Sequence, residues 1–196
     1  MKNDNNTSRF TDFVTLVKRA RVFATEAHKG IYRNCGELEY ITHPIAVGKI
    51  LHKYKKSSQI AVLVAACMLH DTVEDCDWVT IDIIREEFGD LVASLVDELT
   101  SDPKGIEKYG KEKYLMNKMT FMSNWGLAIK LADRLHNTSD IISKFNSSKK
   151  SDIRWSIKYA NQTKNILDTL ESSRTLTGTH KSLISEIRES INILIV

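Results

Sequence analysis

Few of the residues that interrupt helices are present, since the sequence of 196 residues holds only two prolines and eight glycines. Long stretches carry apolar residues at helical spacing instead, so the sequence predicts an all-α fold, a helical bundle with little or no sheet. No internal repeat and no low-complexity linker stands out. Residues 1–196 are therefore predicted to form a single domain.

Cysteine and long hydrophobic runs are also scarce. The three cysteines, Cys35, Cys67 and Cys76, form no C-x-x-C pair, which excludes a disulfide framework and a thiolate zinc site and predicts free thiols. The longest apolar run, Ile60 to Leu69, is shorter than the roughly 18 residues that span a bilayer. The polar start of the chain lacks a secretory signal, so a cytoplasmic protein without a membrane partner is expected.

No strong charge excess and no phosphate-binding glycine loop is present. The chain has 28 Lys+Arg and 25 Asp+Glu, a formal net charge of +3, so no nucleic-acid partner is predicted, although a local basic patch could receive a phosphorylated small molecule. A Walker loop, a G-x-G-x-x-G turn and a nucleophile elbow are all absent from the sequence. P-loop nucleotide hydrolysis, dinucleotide binding and serine hydrolase chemistry are therefore disfavoured.

Apolar periodicity and capping residues predict where the helices run. Ser57 or Ser58 should cap the apolar helix that ends at His70-Asp71, and Thr80 should cap a short helix closed near Gly89. The first helix should bury an apolar stripe made of Phe10, Phe13, Val14, Val17 and Ala24. The predicted helical ranges are 9–28, 44–54, 60–69, 80–89, 90–99, 125–137, 152–170 and 180–194, with a loop or turn over residues 30–43.

The most informative segment is H-D-T-V-E-D, from His70 to Asp75, at the polar end of the most hydrophobic helix. Burying such charge is costly unless the groups are paired or bind a metal. If the helix continues for one turn, the four ionisable side chains lie on one side of it. Imidazole with carboxylate is the ligand mixture of a divalent transition metal. The segment favours a metal site; the alternative is a helix cap followed by a solvated helix end.

Two further segments offer ionisable residues at regular spacing. In K-L-A-D-R-L-H-N, the side chains of Lys130, Asp133 and Asn137 share one helix face, which is either a site or an ordinary solvated face. In Y-I-T-H-P, His43 precedes Pro44, which either holds the imidazole rigidly or makes it a helix cap. The remaining histidines lack partner spacing and are given no role: His28, His52, His136 and His180.

Taken together, these segments resemble the HD phosphohydrolase superfamily. The similarity is strongest to the hydrolase domain of RelA/SpoT-type alarmone enzymes and to their stand-alone small alarmone hydrolases. It covers about residues 24–137, and the helices over residues 140–196 lie outside it. Its specific parts are R-N-C-G followed by Y-I-T-H-P-I-A-V at Arg33–Val47, H-D-T-V-E-D at His70–Asp75, F-G-D-L-V-A-S-L-V-D at Phe88–Asp97 and K-L-A-D-R-L-H-N at Lys130–Asn137.

The resemblance implies one divalent metal, usually Mn²⁺, and a pair of catalytic carboxylates. Glu74 and Asp75 match the acidic pair of the alarmone-hydrolysing branch and would orient a water molecule and move its proton. The implied metal ligands are His43, His70, Asp71 and Asp133. The family fold is a helical bundle, in agreement with the periodicity.

Substrate contacts are implied at three positions. Arg33 matches an arginine that meets the nucleotide base, Asn137 matches a substrate-contacting asparagine, and Lys130, with Arg134 as a secondary candidate, could neutralise phosphate charge. The sequence departs from the family where it reads R-N-C-G-E-L-E-Y instead of R-K-S-G-E-P-Y, and where T-S-D follows Asn137. The preference for guanine or adenine and the number of phosphates therefore stay open.

The predicted activity is that of a stand-alone enzyme that hydrolyses the 3′-diphosphate of alarmone nucleotides, such as (p)ppGpp or (p)ppApp, and releases pyrophosphate. One alternative is an HD phosphatase that releases orthophosphate from another nucleotide, for example the 2′-phosphate of NADPH. A second alternative is a non-catalytic module that binds an alarmone or acts as an antitoxin. The complete set of implied ligands and the intact acidic pair argue against the non-catalytic module.

Overall fold

The computed structural model of the protein describes residues 4–33, 38–145 and 150–195. These residues form helices and no β-strand, which confirms the predicted all-α class. One isolated antiparallel bridge joins Tyr32 and Glu39. The helices are α1 (Asp4–Ala27), α2 (Thr42–Tyr54), α3 (Ile60–Leu69), α4 (Thr72–Asp75), α5 (Ile81–Phe88), α6 (Asp90–Leu99), α7 (Pro103–Tyr109), α8 (Lys111–Phe121), α9 (Asn124–Phe145), α10 (Lys150–Ser173) and α11 (Gly178–Ile195).

The chain divides into two compact units, Met1–Thr100 and Ser101–Val196. In the first unit α3 packs against α1, α2 and α6, and every residue from Leu63 to Leu69 is buried, which explains why this helix is apolar on all sides. In the second unit α9 packs against α10 and α11, and α10 also packs against α8. Each unit therefore has a helical core of its own, and the single-domain organisation stays a prediction.

The buried face of α1 differs from the predicted stripe. Val14 was predicted to be buried, but it is 44% exposed. Ala24 of the predicted stripe is buried, which confirms that position, and Ala20 and Ala27, one turn on either side of it, are also buried. Helix α1 packs against α3, and small side chains of this kind allow two helix backbones to approach closely. The side chains of residues 10 and 13, predicted for the same stripe, lie outside the described part of the chain.

One of the two predicted helix caps is wrong. The residue before α3 is Gln59, and no side chain caps this helix. The hydroxyl oxygen of Ser57 accepts a hydrogen bond from the backbone N–H of Gln59, so Ser57 closes a turn before the helix and leaves the helix end itself uncapped. The other cap is confirmed, because Thr80 Oγ1 accepts the backbone N–H of Ile83 at 3.3 Å. Gly89 closes that helix with a φ of +85°, as predicted.

Helix α9 continues to Phe145, beyond the predicted end at Asn137. Thr138 and Ser139 follow the predicted end, and hydroxyl side chains can compete with helical backbone bonds. In the structure both hydroxyls donate to the carbonyl oxygen of Leu135, at 2.8 and 2.9 Å, so they are satisfied inside the helix. The residues of the K-L-A-D-R-L-H-N segment therefore lie in the middle of a long helix.

The cysteine prediction applies to two described residues. Cys67 and Cys76 are buried free thiols, and residue 35 lies outside the described part of the chain. Burial raises the pKa of the Cys76 thiol, with further contributions from Asp75 and Asp77. Its sulfur donates to the carbonyl oxygen of Ala27 at 2.9 Å, so Cys76 acts as a packed thiol rather than a reactive thiolate. Among the described residues, no helix is long and apolar enough to cross a membrane.

Candidate metal centre

His70 lies in the turn between α3 and α4, with its imidazole buried. Its Nδ1 atom is 2.8 Å from the carbonyl oxygen of Cys67. A carbonyl oxygen only accepts hydrogen bonds, so Nδ1 carries the hydrogen, and Nε2 holds a lone pair in the neutral ring. A backbone hydrogen bond of this kind fixes the ring and tautomer of histidines that bind metals. Nε2 of His70 is therefore prepared to bind a cation.

Two further ligand atoms converge on His70 within the first unit. His43, buried at the start of α2, has its ring centroid 5.2 Å from that of His70. Asp71 Oδ2 lies 2.9 Å from Nε2 of His70 and 3.6 Å from Nε2 of His43. Around a metal about 2.1 Å from each ligand, neighbouring ligand atoms are roughly 3 Å apart. Asp71 Oδ2 is therefore close enough to both Nε2 atoms to share one metal ion with them.

The chemistry of these three groups also fits a metal. A carboxylate oxygen and an imidazole lone pair that face one another repel unless a cation or a proton lies between them. Two imidazoles with a carboxylate suit divalent transition metals better than all-oxygen sites do. The side chains of His43, His70 and Asp71 therefore form a suitable partial ligand set for such an ion.

Tyr40 holds the carboxylate of Asp71, a role that the sequence did not indicate. Its phenol O–H donates to Asp71 Oδ2 at 2.7 Å, and its ring meets that of His43 edge to face at 5.8 Å. Carboxylates that bind metals are themselves hydrogen-bonded, and such partners orient them. The only signal for Tyr40 in the sequence is its position in the Y-I-T-H-P motif, three residues before His43.

The acidic pair and an unexpected histidine lie beside these residues. The backbone N–H groups of Glu74 and Asp75 both donate to the carbonyl oxygen of Asp71, at 3.1 and 2.9 Å, so the short helix α4 presents the two acids one turn after Asp71. His28, which received no role from the sequence, is buried with Nε2 3.6 Å from Asp75 Oδ2. Its ring stacks on that of Tyr40 at 4.7 Å.

Asp133 is the buried carboxylate of the second unit, in the middle of α9. Lys130 Nζ lies 3.1 Å from Asp133 Oδ2, and Asn137 Nδ2 donates to Asp133 Oδ1 at 2.6 Å. The structure thus brings together the three residues that share a helix face in the sequence. Both oxygens of Asp133 are oriented by neighbours on the same helix, and the contacts of Lys130 and Asn137 with a nucleotide stay predictions.

Arg134, the neighbour of Asp133, is directed toward α10. Its Nη1 donates to Thr163 Oγ1 at 2.8 Å, and its guanidinium carbon lies 5.2 Å from the ring centroid of Tyr159. Because Arg134 is buried against these residues, it joins α9 to α10. The suggestion that it neutralises phosphate charge receives no support from these contacts.

Arg33 lies at the edge of the first unit's site. Its backbone N–H donates to the carbonyl oxygen of Leu38 at 2.8 Å, and its guanidinium carbon is 5.6 Å from the ring centroid of Tyr40. A guanidinium over an aromatic ring is a favourable contact and keeps the planar group in a defined place. The contact of Arg33 with a nucleotide base stays a prediction, as does the effect of the altered residues 34–37, which lie outside the described chain.

Comparisons with known proteins agree with this site. The model of the HD domain matches residues 20–118. The chain is 42% identical over 127 residues to a probable GTP pyrophosphokinase of Mycobacterium leprae, which covers 63% of this chain and 16% of that protein. It is 38% identical over 127 residues to the guanosine-3′,5′-bis(diphosphate) 3′-pyrophosphohydrolase MESH1 of Xenopus tropicalis. This match covers 64% of this chain and 69% of that protein. It is also 38% identical over 120 residues to human MESH1, in a match that covers 61% of this chain and 65% of that protein.

Solved structures give the same relationship. A structure described as a metazoan ortholog of SpoT that hydrolyses ppGpp has a TM-score of 0.71 and 25% sequence identity, and the match covers 89% of this chain and 94% of that one. A protein of Listeria monocytogenes EGD-e matches with a TM-score of 0.61 over 78% of this chain, and its 23% identity supports the fold alone. The family match, the relatives and the paired histidine and aspartate residues agree. This chain belongs to the HD domain family.

Proposed function

We propose that this protein is a metal-dependent hydrolase that removes the 3′-diphosphate of alarmone nucleotides, such as (p)ppGpp or (p)ppApp, as pyrophosphate. The observation that carries the proposal is the convergence of His43, His70 and Asp71, with the acidic pair of α4 one turn away. The names of the MESH1 relatives and the description of the SpoT ortholog support the substrate class, since both name ppGpp or its hydrolysis.

The proposed cofactor is one divalent metal, with Mn²⁺ as the preferred ion. His43, His70 and Asp71 would hold it, and Asp133 is proposed as a further ligand. The burial of Asp133 and the orientation of both its oxygens support that role. When bound in such a site, a divalent metal makes water more acidic and polarises a phosphoryl oxygen.

Each remaining residue has a proposed task that follows from its position. Glu74 and Asp75, which are exposed at their end of α4, orient the attacking water and take its proton. Arg33 lies at the rim of the first unit's site and would place its guanidinium over the base. Lys130 would share its positive charge between Asp133 and a phosphate oxygen, and Asn137 would share its amide between Asp133 and the sugar.

The reaction is proposed to break the bond between phosphorus and the 3′ oxygen. Water attacks the phosphorus atom attached to the 3′ oxygen, the sugar oxygen leaves, and the two phosphates depart together as pyrophosphate. Attack at the terminal phosphorus would release orthophosphate instead. The two outcomes require different depths of substrate in the site, so the product identifies which phosphorus faces the ligand set.

The test is hydrolysis of a nucleotide panel of ppGpp, ppApp and NADPH in ¹⁸O-labelled water with Mn²⁺, followed by mass spectrometry. We expect pyrophosphate as the first product, with the label in pyrophosphate and none on the 3′ oxygen of the nucleoside. Orthophosphate as the first product would overturn the proposal in favour of a different HD phosphatase. Tight nucleotide binding without turnover would indicate a non-catalytic binding module.

A contaminating hydrolase is excluded by a matched variant. Protein with Glu74→Gln and Asp75→Asn, purified in the same way, should bind the nucleotide and hydrolyse it about 10²- to 10⁴-fold more slowly. Equal turnover by this variant and the wild type would remove the assignment of the acidic pair. A cytoplasmic location, and the lack of nucleic-acid and membrane partners, stay predictions.

A further inference from the structure

His28 is a buried neighbour of Asp75 in the first unit. The side chain of His28 is 0% exposed, whereas that of Asp75 is 34% exposed. Among the described residues, Nε2 of His28 makes no hydrogen bond, although it lies 3.6 Å from Asp75 Oδ2. A buried polar atom without a hydrogen bond costs free energy, so a buried nitrogen directed at a carboxylate calls for a functional reason.

The other ring nitrogen of His28 determines what Nε2 can do. Nδ1 is 2.9 Å from the carbonyl oxygen of Ala24, which also accepts the backbone N–H of His28 at 3.0 Å. Since that carbonyl can only accept, Nδ1 carries the hydrogen and Nε2 of the neutral ring is an acceptor. The stack on Tyr40, at 4.7 Å, keeps the ring in its plane. Nε2 is thus a fixed acceptor aimed at Asp75.

An ionised Asp75 offers no hydrogen to this acceptor, but a protonated Asp75 does. We propose that His28 is a positioning residue that accepts a hydrogen bond from Asp75 once Asp75 has taken the proton of the attacking water. The inference rests on the proposed hydrolase function. It explains why Nε2 makes no hydrogen bond in the resting site, since its partner is the acid that the reaction generates.

The step balances in protons and electron pairs. The water oxygen forms its bond to phosphorus while one of its O–H bonds breaks, and the freed proton binds Asp75 Oδ2. The bond between phosphorus and the 3′ oxygen breaks, and its electron pair stays on the sugar oxygen, which takes a proton from solvent. The new carboxyl O–H donates to the lone pair of His28 Nε2, and the proton returns to solvent when the products leave. The distance of 3.6 Å must shorten to roughly 3.0 Å for this bond, and contacts of this kind commonly tighten when substrate binds.

An interaction that strengthens only as the reaction proceeds should affect kcat rather than KM. Two substitutions separate the acceptor from the ring stack. His28→Phe keeps an aromatic ring against Tyr40 and removes both nitrogens, whereas His28→Gln keeps an oxygen that can accept from Asp75. We expect His28→Phe to lower kcat by about 10- to 100-fold with little change in KM, as for other residues that orient a reactive group, and His28→Gln to recover part of the loss.

The decisive measurement is a double-mutant cycle with Asp75→Asn. If His28 acts through Asp75, then His28→Phe should cost nothing further in the Asp75→Asn background. A purely structural role predicts the same penalty in both backgrounds, together with loss of bound metal, and would overturn the proposal. His180→Phe is the matched control, because His180 is a buried histidine of the second unit whose ring nitrogens contact Asn124 and Thr177. It should lower stability and leave kcat unchanged.

The contact between His28 and Asp75 can also be tested by NMR, without measuring turnover and without substituting His28. In ¹⁵N-histidine spectra of the otherwise wild-type protein, Asp75→Asn should shift the Nε2 resonance of His28, and Glu74→Gln should leave it in place. Equal responses to the two substitutions would contradict the contact. Activity can also be followed on bis(p-nitrophenyl) phosphate with Mn²⁺. Cleavage of this ester without alarmone hydrolysis would defeat the proposed substrate while leaving the test of His28 intact.

Discussion

Asp71 and Asp133 are two mostly buried carboxylates that the two units hold in different ways. Asp71 accepts a hydrogen bond from the phenol of Tyr40 and faces imidazole nitrogens. Asp133 instead has the ammonium group of Lys130 and the amide of Asn137 beside it. The negative charge of Asp133 is compensated within its own helix. Asp71 faces two imidazoles whose nitrogens can bind a cation together with its carboxylate, so we expect the site of the first unit to depend on metal more strongly than the surroundings of Asp133.

Removing the metal or a ligand in the first unit tests this difference and should have the largest effect. Excess chelator should abolish turnover, and Mn²⁺ should restore it better than Mg²⁺, because Mg²⁺ favours all-oxygen sites. His70→Ala should also abolish turnover. It should lower the melting temperature as well, since metal binding also stabilises the fold. Full turnover in excess chelator, with no metal found by elemental analysis, would exclude metal dependence.

The acidic pair should matter for rate and not for folding. With Glu74→Gln and Asp75→Asn together, we expect kcat to fall by about 10²- to 10⁴-fold, the usual contribution of a general base. The fold and bound metal should persist, because both residues are exposed and the substitutions preserve their shape. Circular dichroism and metal content check the second expectation. A double variant that works at the wild-type rate would show that neither acid activates the water.

Single partners of the two aspartates give a more direct comparison. Tyr40→Phe removes a phenol that orients Asp71 and should weaken metal binding by about 10- to 100-fold, the range for residues that hold a metal ligand. Asn137→Ala should weaken it less, since Lys130 still holds the other oxygen of Asp133. Metal titrations of both variants measure the difference. A larger loss for Asn137→Ala would reverse the proposed asymmetry.

Arg33→Ala tests substrate binding at the rim of the first unit. A base contact made equally in the ground state and the transition state changes KM, so we expect a rise in KM with kcat nearly unchanged. Arg19→Ala is the control, because Arg19 also places its guanidinium carbon near an aromatic ring, 5.5 Å from the centroid of Phe88, and has no proposed contact with substrate. A large fall in kcat alone would show that Arg33 does not hold the base.

Asp168 has no proposed catalytic role, and its substitution should have the smallest effect of these variants. Hydrogen bonds from Lys164 and Arg188 hold the pKa of Asp168 below its usual value. A lowered pKa contributes stability above the unfolded value of about 3.9, and this contribution is lost as the pH falls through the folded value. Asp168→Asn should therefore lower the melting temperature slightly at pH 7 and less at pH 3. The effect is small because the side chain is 46% exposed, and turnover should be unchanged.

The parts of the site that lie within one helical segment could be predicted from the sequence. Lys130 and Asn137 are three and four residues from Asp133, so helical geometry alone places them beside it. The same reasoning located the cluster at the end of α3, because charge at the end of a fully apolar helix has no inexpensive explanation without a partner. Local spacing was sufficient in both cases.

Contacts between distant segments were not predictable from spacing. Tyr40 lies 31 residues before Asp71 in the sequence, and His28 lies more than forty residues before Asp75, so only the packing of the fold creates these contacts. The extension of α9 was missed for a different reason. Residues with hydroxyl side chains can end a helix or bond one turn back inside it, and only the neighbouring structure decides which.

Among the described residues of the first unit, His28, His43 and His70 each have Nε2 near an aspartate oxygen. For two of them Nδ1 is hydrogen-bonded to a main-chain carbonyl, that of Ala24 for His28 and that of Cys67 for His70. No exchange of side chain at positions 24 or 67 can remove a main-chain acceptor. In a mutational scan, these positions should accept substitutions that fit their buried space and reject those that move the helix axis, proline above all. The position of the backbone therefore determines which ring nitrogen of His28 and of His70 carries the hydrogen. Repacking α1 or α3 would thus also change the acid-base chemistry of this site.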